Sequence, residues 1–138
     1  MKQAMRALDA RWNRGRLREW WNRNAVLGGG WGEFLGRIDA VPANAVVLDL
    51  GAGEATLRTR APHARYIAMD RGIGHAGWDY SALDVVADAL SIPLRAHSVD
   101  MVVCKQVLEH VPEPVTLLRE VARILRPGGT LLLSTNQQ

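Results

Sequence analysis

The chain has 138 residues, of which 48% are hydrophobic and 22% are charged, as in an ordinary globular protein. This length allows one domain and excludes a second domain of full size. The single cysteine and four dispersed histidines exclude an internal disulfide framework and the short ligand spacings of a zinc site, so no metal is expected. No apolar run approaches the ~20 residues that span a bilayer and no signal peptide is recognised, so we expect a cytoplasmic protein.

The positive charge is concentrated near the N-terminus. Residues 1–24 include seven basic and two acidic residues, a net charge of +5, whereas the whole chain carries +3. A basic segment can bind nucleic acid, but it then accompanies a recognised binding motif, and none is found here. We therefore expect no nucleic-acid partner.

The same part of the chain contains four of the five tryptophans, and its apolar residues recur at helical spacing. This pattern predicts two short amphipathic helices before residue 24 and another around residues 34–38. We interpret residues 1–40 as an N-terminal helical arm. Either the arm packs on the rest of the chain and exposes its arginines, or it caps a substrate site and contacts an anionic or lipid surface.

From residue 45 onward, short apolar runs alternate with helical segments, which predicts βαβ units and a parallel sheet buried on both faces. The expected fold class is therefore a doubly wound, Rossmann-like α/β fold. A helix is predicted to begin at Pro114 and to end at the RPGG sequence of residues 126–129. The predicted strands are residues 45–50, 65–69, 84–87, 99–104 and 130–134.

The strongest local motif is VVLDLGAGEA at residues 46–55, where an apolar strand runs into a glycine turn and the start of a helix. Gly51 and Gly53 would let a ligand approach the backbone N–H groups of this turn. Asp70, at the end of the second strand, lies 21 residues after Asp49, close to the spacing at which an acidic residue binds ribose hydroxyls. Together these features predict a nucleoside-containing ligand.

The residues around the glycines favour one nucleoside cofactor over another. A dinucleotide site places a pyrophosphate on this turn, but here Asp49 precedes the first glycine and Glu54 follows the second. Two carboxylates would repel a pyrophosphate and attract a positively charged ligand. S-adenosylmethionine carries an ammonium and a sulfonium and no phosphate, so it is the expected cofactor.

At this point the sequence resembles the class I S-adenosylmethionine-dependent methyltransferases, and most of all the group that includes ubiquinone and menaquinone biosynthesis enzymes. The resemblance covers residues 44–138 and implies the strand order 3-2-1-4-5. It departs at Ala55, where the family often has a third glycine; because alanine is small, we expect little effect. The matching blocks, in order, are VVLDLGAGEA, YIAMD, ADALSIPL, SVDMVVCKQVLEHV and LLREVARILRPGGTLLLS.

The resemblance implies roles for four residues around the glycine turn. Asp49 would orient the methionine ammonium of the cofactor, directly or through water. Gly51 and Gly53 would let the backbone approach the cofactor, and Asp70 would bind both ribose hydroxyls through its two oxygens.

It also implies roles for residues after the third and fourth strands. Asp88 would accept a hydrogen bond from the adenine amino group, and the Ala89 N–H would donate to a ring nitrogen. Cys104, Lys105 and Gln106 would line the methyl donor, although for Cys104 a buried strand thiol is the alternative that we favour.

His110, in the loop after the fourth strand, is the candidate catalytic residue. That loop faces the methyl group in the family, and a histidine side chain exchanges protons near neutral pH. It could therefore act as a base if the acceptor is a hydroxyl or an acidic C–H group. The alternative is that His110 only stabilises the loop.

We therefore expect an S-adenosylmethionine-dependent methyltransferase that acts on a small-molecule acceptor. The alternatives are a noncatalytic module that binds S-adenosylmethionine or a nucleoside and, less favoured, an NAD-dependent oxidoreductase. Residues 41–138 would form the methyltransferase domain, incomplete at its C-terminus because the family's sheet continues past the fifth strand. That strand would then be an open edge available for self-association, and the chain alone would show little or no turnover.

Overall fold

The computed structural model of the protein describes residues 16–27 and 29–134. The helices are α1 (Arg16–Asn24), α2 (Trp31–Asp39) and α3 (Pro114–Ile124), with a short 3₁₀ helix at Thr56–Arg60. The strands are β1 (Ala25–Leu27), β2 (Val46–Leu50), β3 (Arg65–Asp70), β4 (Val85–Val86), β5 (Val99–Lys105) and β6 (Leu125–Ser134). Within the described residues, no helix has the length and apolar character needed to cross a bilayer.

The six strands form one sheet in the order β1-β6-β5-β2-β3-β4, and every neighbouring pair is parallel. The predicted fold class is confirmed. The five strands expected from the sequence keep the order 3-2-1-4-5, and the observed order differs by the addition of β1 at one edge.

The sheet is buried on both faces, because its central strands are apolar at almost every position. On one face, four side chains of α3 (Leu117, Leu118, Val121 and Ile124) pack against the strands. On the other face the core includes Phe34 and Ile38 of α2. Burial of this kind is worth about 1.5–3 kcal/mol for each large apolar side chain, so both helices are held by their packing.

We expected the fifth predicted strand, which is β6, to be an open edge of the sheet, and this expectation is wrong. Residues Ala25, Val26 and Leu27 pair in parallel with Leu131, Leu132 and Leu133, so backbone groups of β6 on that side have partners. The segment expected to be entirely helical thus contains a strand. Three residues that directly follow a helix are too few to show the alternation that identifies a strand in sequence.

Other boundaries also differ from the sequence prediction. The helix expected after the glycine turn is only the 3₁₀ helix Thr56–Arg60, since Pro62 follows closely and disfavours helical backbone before it. The strand β6 begins at Leu125 and includes the RPGG sequence that we expected to be a turn. Of the two amphipathic helices predicted before residue 24, the second is α1, and the first lies outside the described residues.

Asp100, which the sequence analysis did not place in the site, links two strands. Its carboxylate accepts hydrogen bonds from the Val46 N–H at 2.8 Å and from the Arg126 guanidinium at 2.8 Å. Burial opposes ionisation, but these hydrogen bonds prevail and the pKa of Asp100 is lowered. The contacts tie the beginning of β2 to β5 and β6, at the end of the sheet opposite to the strands' carboxyl ends.

The role of β1, which pairs with the edge of β6, can be tested by substitution. Val26→Asp should lower the free energy of unfolding by about 1–3 kcal/mol, because a carboxylate replaces an apolar side chain packed against the core. It should also promote self-association, since β6 would lose its partner strand. Calorimetry and sedimentation velocity measure the two effects. Asn22→Asp adds the same charge at an exposed position of α1, and equal behaviour of the two variants would contradict the role given to β1.

Candidate functional site

A cavity of about 670 Å³ opens at the carboxyl ends of β2, β3 and β5, where parallel α/β sheets bind their ligands. The loops that follow those strands form its wall, together with residues 87–89 after β4. Eight of the ten candidate site residues line the cavity, and the two that do not are Asp49 and Cys104. The eight are Gly51, Gly53, Asp70, Asp88, Ala89, Lys105, Gln106 and the catalytic candidate His110.

Positive φ angles and closely packed side chains restrict the glycine turn to small residues at two positions. Gly51 and Gly53 have φ angles of +76° and +57°, which favour glycine. A Cβ atom on Gly51 would lie 2.2 Å from the side chain of Val107, and one on Gly53 would lie 2.9 Å from the ring of Trp78. Larger residues therefore do not fit at either position without a rearrangement.

Ala55 has a left-handed backbone, with φ of +57°. Our expectation that alanine replaces the family's third glycine with little effect considered only its size. A left-handed backbone conformation costs a non-glycine residue roughly 1–2 kcal/mol. Burial of the Ala55 methyl group offsets part of this free-energy cost. The conformation, rather than the volume, explains the family's glycine here.

Asp70 joins two loops at the floor of the cavity. Its Oδ2 accepts a hydrogen bond from the Gly53 N–H at 2.9 Å, and its Oδ1 accepts one from the Gly72 N–H at 3.0 Å. A carboxylate oxygen has capacity for more than one donor. Asp70 can therefore hold both loops and still accept hydrogen bonds from a ligand.

Hydrogen bonding within the glycine turn differs from the sequence expectation of exposed N–H groups. The N–H groups of Gly51 and Ala52 both donate to the Met69 carbonyl, at 2.8 and 3.0 Å, and that of Gly53 donates to Asp70. These three donors are therefore already used within the protein. A pyrophosphate would need such groups free, so the turn is poorly suited to a dinucleotide.

Asp49 lies beneath the cavity rather than on its wall. It is only 2% exposed and accepts a hydrogen bond from the Tyr66 hydroxyl. Burial raises the pKa of Asp49 to about 6, while the Tyr66 hydrogen bond and the charge of Lys105 oppose the rise. Asp49 is not among the residues that line the cavity, and its role toward a cofactor ammonium, directly or through water, stays a prediction.

For Cys104 the resemblance implied a place beside the methyl donor, but the alternative that we favoured was a buried strand thiol, and a buried thiol is what the structure shows. Its side chain is fully buried in the core, and burial raises the pKa of the thiol to about 12. Successive side chains of a strand point to opposite faces, so a strand residue packed between the sheet and α3 does not face the cavity. Lys105 and Gln106 do line it, and Gln106 has a strained backbone with φ of +55°.

Asp88 and Ala89 lie at the part of the cavity farthest from β5. The Asp88 Oδ1 accepts a hydrogen bond from the Leu90 N–H at 2.8 Å, which closes a local turn. The side chain is exposed and lines the cavity, so its second oxygen remains accessible to a ligand.

Sequence reasoning missed an aromatic group in the loop after β3. The rings of His75 and Trp78 stack with centroids 4.0 Å apart, and Tyr80 lies at 6.2 Å from Trp78. All three line the cavity, and Trp78 packs on Gly53. The signal available in the sequence was the concentration of large rings among glycines in GIGHAGWDY at residues 72–80.

The charges on the wall allow a test of the expected cofactor. Glu54, Asp70 and Asp88 are acidic, whereas Arg71 and Lys105 are basic. This balance, with the glycine N–H groups already bonded, fits a ligand that carries positive charge and a ribose but no phosphate. S-adenosylmethionine meets these requirements. No cluster of three or more metal-binding side chains occurs among the residues that the structure describes.

Comparison with known proteins agrees with this chemistry. Residues 26–133 match the family model described as a methyltransferase domain. A ubiquinone biosynthesis O-methyltransferase of Xanthomonas oryzae pv. oryzae (strain PXO99A) is 55% identical over 110 residues, which cover 67% of this chain and 44% of that protein. The same-named protein of Xanthomonas axonopodis pv. citri (strain 306) is 34% identical over 111 residues, with coverage of 68% and 44%. The chain thus spans less than half the length of these relatives.

Solved structures show the same fold. A Bacillus halodurans protein described as a methyltransferase has 28% identity and a TM-score of 0.57, over 71% of this chain and 48% of that chain. A Haloferax volcanii complex of the Trm112 methyltransferase activator with a methyltransferase matches with 29% identity and a TM-score of 0.58, over 72% and 48%.

The raised pKa of the buried Asp49 carboxyl group can be tested by measuring stability at different pH values. Because the folded pKa of Asp49 lies above its ordinary value of 3.8, folding favours the protonated form. The stability that this contributes is present below about pH 4 and is lost as the pH rises through about 6. Asp49→Asn, whose amide oxygen can still accept from Tyr66, should therefore gain about 3 kcal/mol relative to the wild type between pH 4 and 7.

Urea unfolding across this pH range measures the difference. In Tyr66→Phe the carboxyl group loses the donor that lowers its pKa, so the loss of stability should move to higher pH. Parallel pH profiles for the wild type and Asp49→Asn would contradict the raised pKa.

Proposed function

Since the chain belongs to the methyltransferase domain family, whose cofactor is S-adenosylmethionine, we propose that the protein transfers a methyl group. The acceptor in this proposal is a hydroxyl oxygen of a small molecule related to ubiquinone precursors. The observation that carries the cofactor assignment is the Asp70 carboxylate at the cavity floor, beside glycine N–H groups that already have partners. The acceptor class is suggested by the names of the Xanthomonas relatives.

In this proposal each end of the cofactor meets a different group of residues. Asp70, whose carboxylate also fixes the glycine turn, accepts hydrogen bonds from the ribose hydroxyls. Asp88 and the Ala89 N–H bind the adenine edge. The buried Asp49 acts through its negative charge, because its side chain does not reach the cavity wall.

When bound, S-adenosylmethionine supplies a methyl carbon activated by positively charged sulfur, and the acceptor oxygen forms its bond to that carbon as the carbon–sulfur bond breaks. The hydroxyl proton of the acceptor must leave. His110 lines the cavity after β5 and can receive it. The remaining task of the protein is to orient the two reactants and to exclude water.

Binding to the chain tests the cofactor assignment without requiring turnover. S-adenosylhomocysteine, the demethylated product, should bind, and Asp70→Ala should weaken binding by about 1.5–3 kcal/mol, roughly 10- to 150-fold in Kd. Isothermal titration calorimetry measures this, with NAD as a competitor that should fail to bind.

Asp79→Ala is the matched control, because Asp79 lies in the same loop region and is exposed, and its carboxylate closes a turn to Ser81. Thermal unfolding of each variant separates loss of contact from loosened loops. Equal affinity of wild type and Asp70→Ala, or tight binding of NAD, would reject the assignment.

A further inference from the structure

The loop between β3 and β4 presents an exposed indole to the cavity. Residues 71–84 contain neither helix nor strand, and irregular connections of this length usually bind a ligand or cover a site. Trp78 of this loop lines the cavity and is 46% exposed. Because tryptophan is highly buried on average in folded proteins, a ring this exposed on a cavity wall is available to a ligand.

Two neighbours hold the Trp78 ring beside the glycine turn. The ring of His75 stacks on it, with centroids 4.0 Å apart and planes inclined by 18°, and the Trp78 backbone N–H donates to the His75 carbonyl at 3.2 Å. On the side of the glycine turn, a Cβ atom on Gly53 would lie 2.9 Å from the indole. The ring is therefore packed against the turn and keeps nearly half of its surface accessible.

Glu54 connects the glycine turn to the backbone next to this ring. Its Oε1 accepts a hydrogen bond from the Asp79 N–H at 3.1 Å. Asp79 directly follows Trp78, so this hydrogen bond fixes the chain beside the indole. Glu54 itself directly follows Gly53, which the indole contacts. The turn after β2 and the loop after β3 are thus joined on both sides of the Trp78 ring.

The ribose position proposed above brings the charged sulfur of the cofactor near this ring. Asp70 Oδ2 accepts from the Gly53 N–H at 2.9 Å, so a ribose bound to Asp70 would lie beside Gly53, the residue that Trp78 contacts. In S-adenosylmethionine the sulfur is bonded to the 5′ carbon of that ribose. A sulfonium is a cation, and cations are attracted to the face of an indole within about 6 Å of its centroid.

We propose that Trp78, positioned by Glu54 and His75, binds the sulfonium and makes the site prefer S-adenosylmethionine over S-adenosylhomocysteine. The inference rests on the methyl-transfer function proposed above and adds a specificity-determining residue to its cofactor site. The two ligands differ at sulfur by one methyl group and one positive charge. Contact with the indole therefore stabilises S-adenosylmethionine more than the neutral thioether of the product, and this favours replacement of product by fresh cofactor.

The carboxylates of the cavity also attract a positively charged ligand, so the ring must be tested apart from them. Glu54 and Asp70 are unchanged when Trp78 is replaced, and their contribution to the preference stays the same. Trp78→Phe keeps an aromatic face, whereas Trp78→Leu keeps an apolar side chain without one. A difference between these variants therefore reports the contact between ring and cation.

Isothermal titration calorimetry with each of the two ligands measures the preference as the Kd of S-adenosylhomocysteine divided by that of S-adenosylmethionine. This ratio should exceed one in the wild type. Trp78→Leu should lower it about three- to tenfold, through weaker binding of S-adenosylmethionine, and Trp78→Phe should lower it less. A loosened loop weakens both ligands alike, so the ratio responds to the charge contact. Thermal unfolding of each variant verifies that it is folded.

Two substitutions of Glu54 test its positioning role. Glu54→Gln and Glu54→Ala lose the same charge, but the glutamine side-chain carbonyl can still accept from the Asp79 N–H. Glu54→Gln should therefore keep a larger ratio than Glu54→Ala. Glu113→Ala is the control, since Glu113 is exposed before α3 and does not line the cavity; its ratio should equal that of the wild type.

An unchanged ratio in Trp78→Leu would overturn the proposal, because the indole would then only shape the loop. Equal affinity of the wild type for the two ligands would overturn it as well. Equal ratios in the two Glu54 variants would remove Glu54 from it. Failure of both ligands to bind the wild type instead rejects the methyl-transfer function on which the proposal rests.

Discussion

The hydrogen bonds of one carboxylate organise the carboxyl edge of this sheet. Asp70 accepts from the Gly53 and Gly72 N–H groups, so the turn after β2 and the turn after β3 are fixed relative to each other. An unpaired backbone N–H in a partly buried loop would be costly, and the carboxylate meets that need while adding negative charge to the cavity floor. The geometry of the glycine turn and its preference for a cationic nucleoside ligand therefore have the same origin.

This constraint also explains why the fold carries a different ligand from a dinucleotide-binding protein with a similar strand-turn motif. In this chain the glycines serve tight backbone geometry and close packing by Val107 and Trp78. Their N–H groups point to Met69 and Asp70 rather than to a phosphate. The wall also carries two positive charges, Arg71 after β3 and Lys105 at the end of β5.

Much of this organisation could be predicted from sequence, since the apolar strands are short, regular and separated by clear turns. The position of Asp70 at a strand end followed from spacing alone. Two features could not be predicted. The strand β1 has only three residues, and the left-handed backbone of Ala55 has no signal in its side chain. The contact of Lys105 with Trp31 joins residues 74 positions apart, which no local pattern reveals.

The central claim is that Asp70 and the two loops it joins form the floor of the cofactor site. Two-dimensional NMR of the ¹⁵N-labelled chain, titrated with S-adenosylhomocysteine, tests it most directly, because the Gly53 and Gly72 amide protons lie in hydrogen bonds to Asp70. We expect saturable shifts that are largest at those two amides and at Ala89. Saturable binding that leaves these amides unchanged and shifts residues away from the carboxyl edge of the sheet would contradict it.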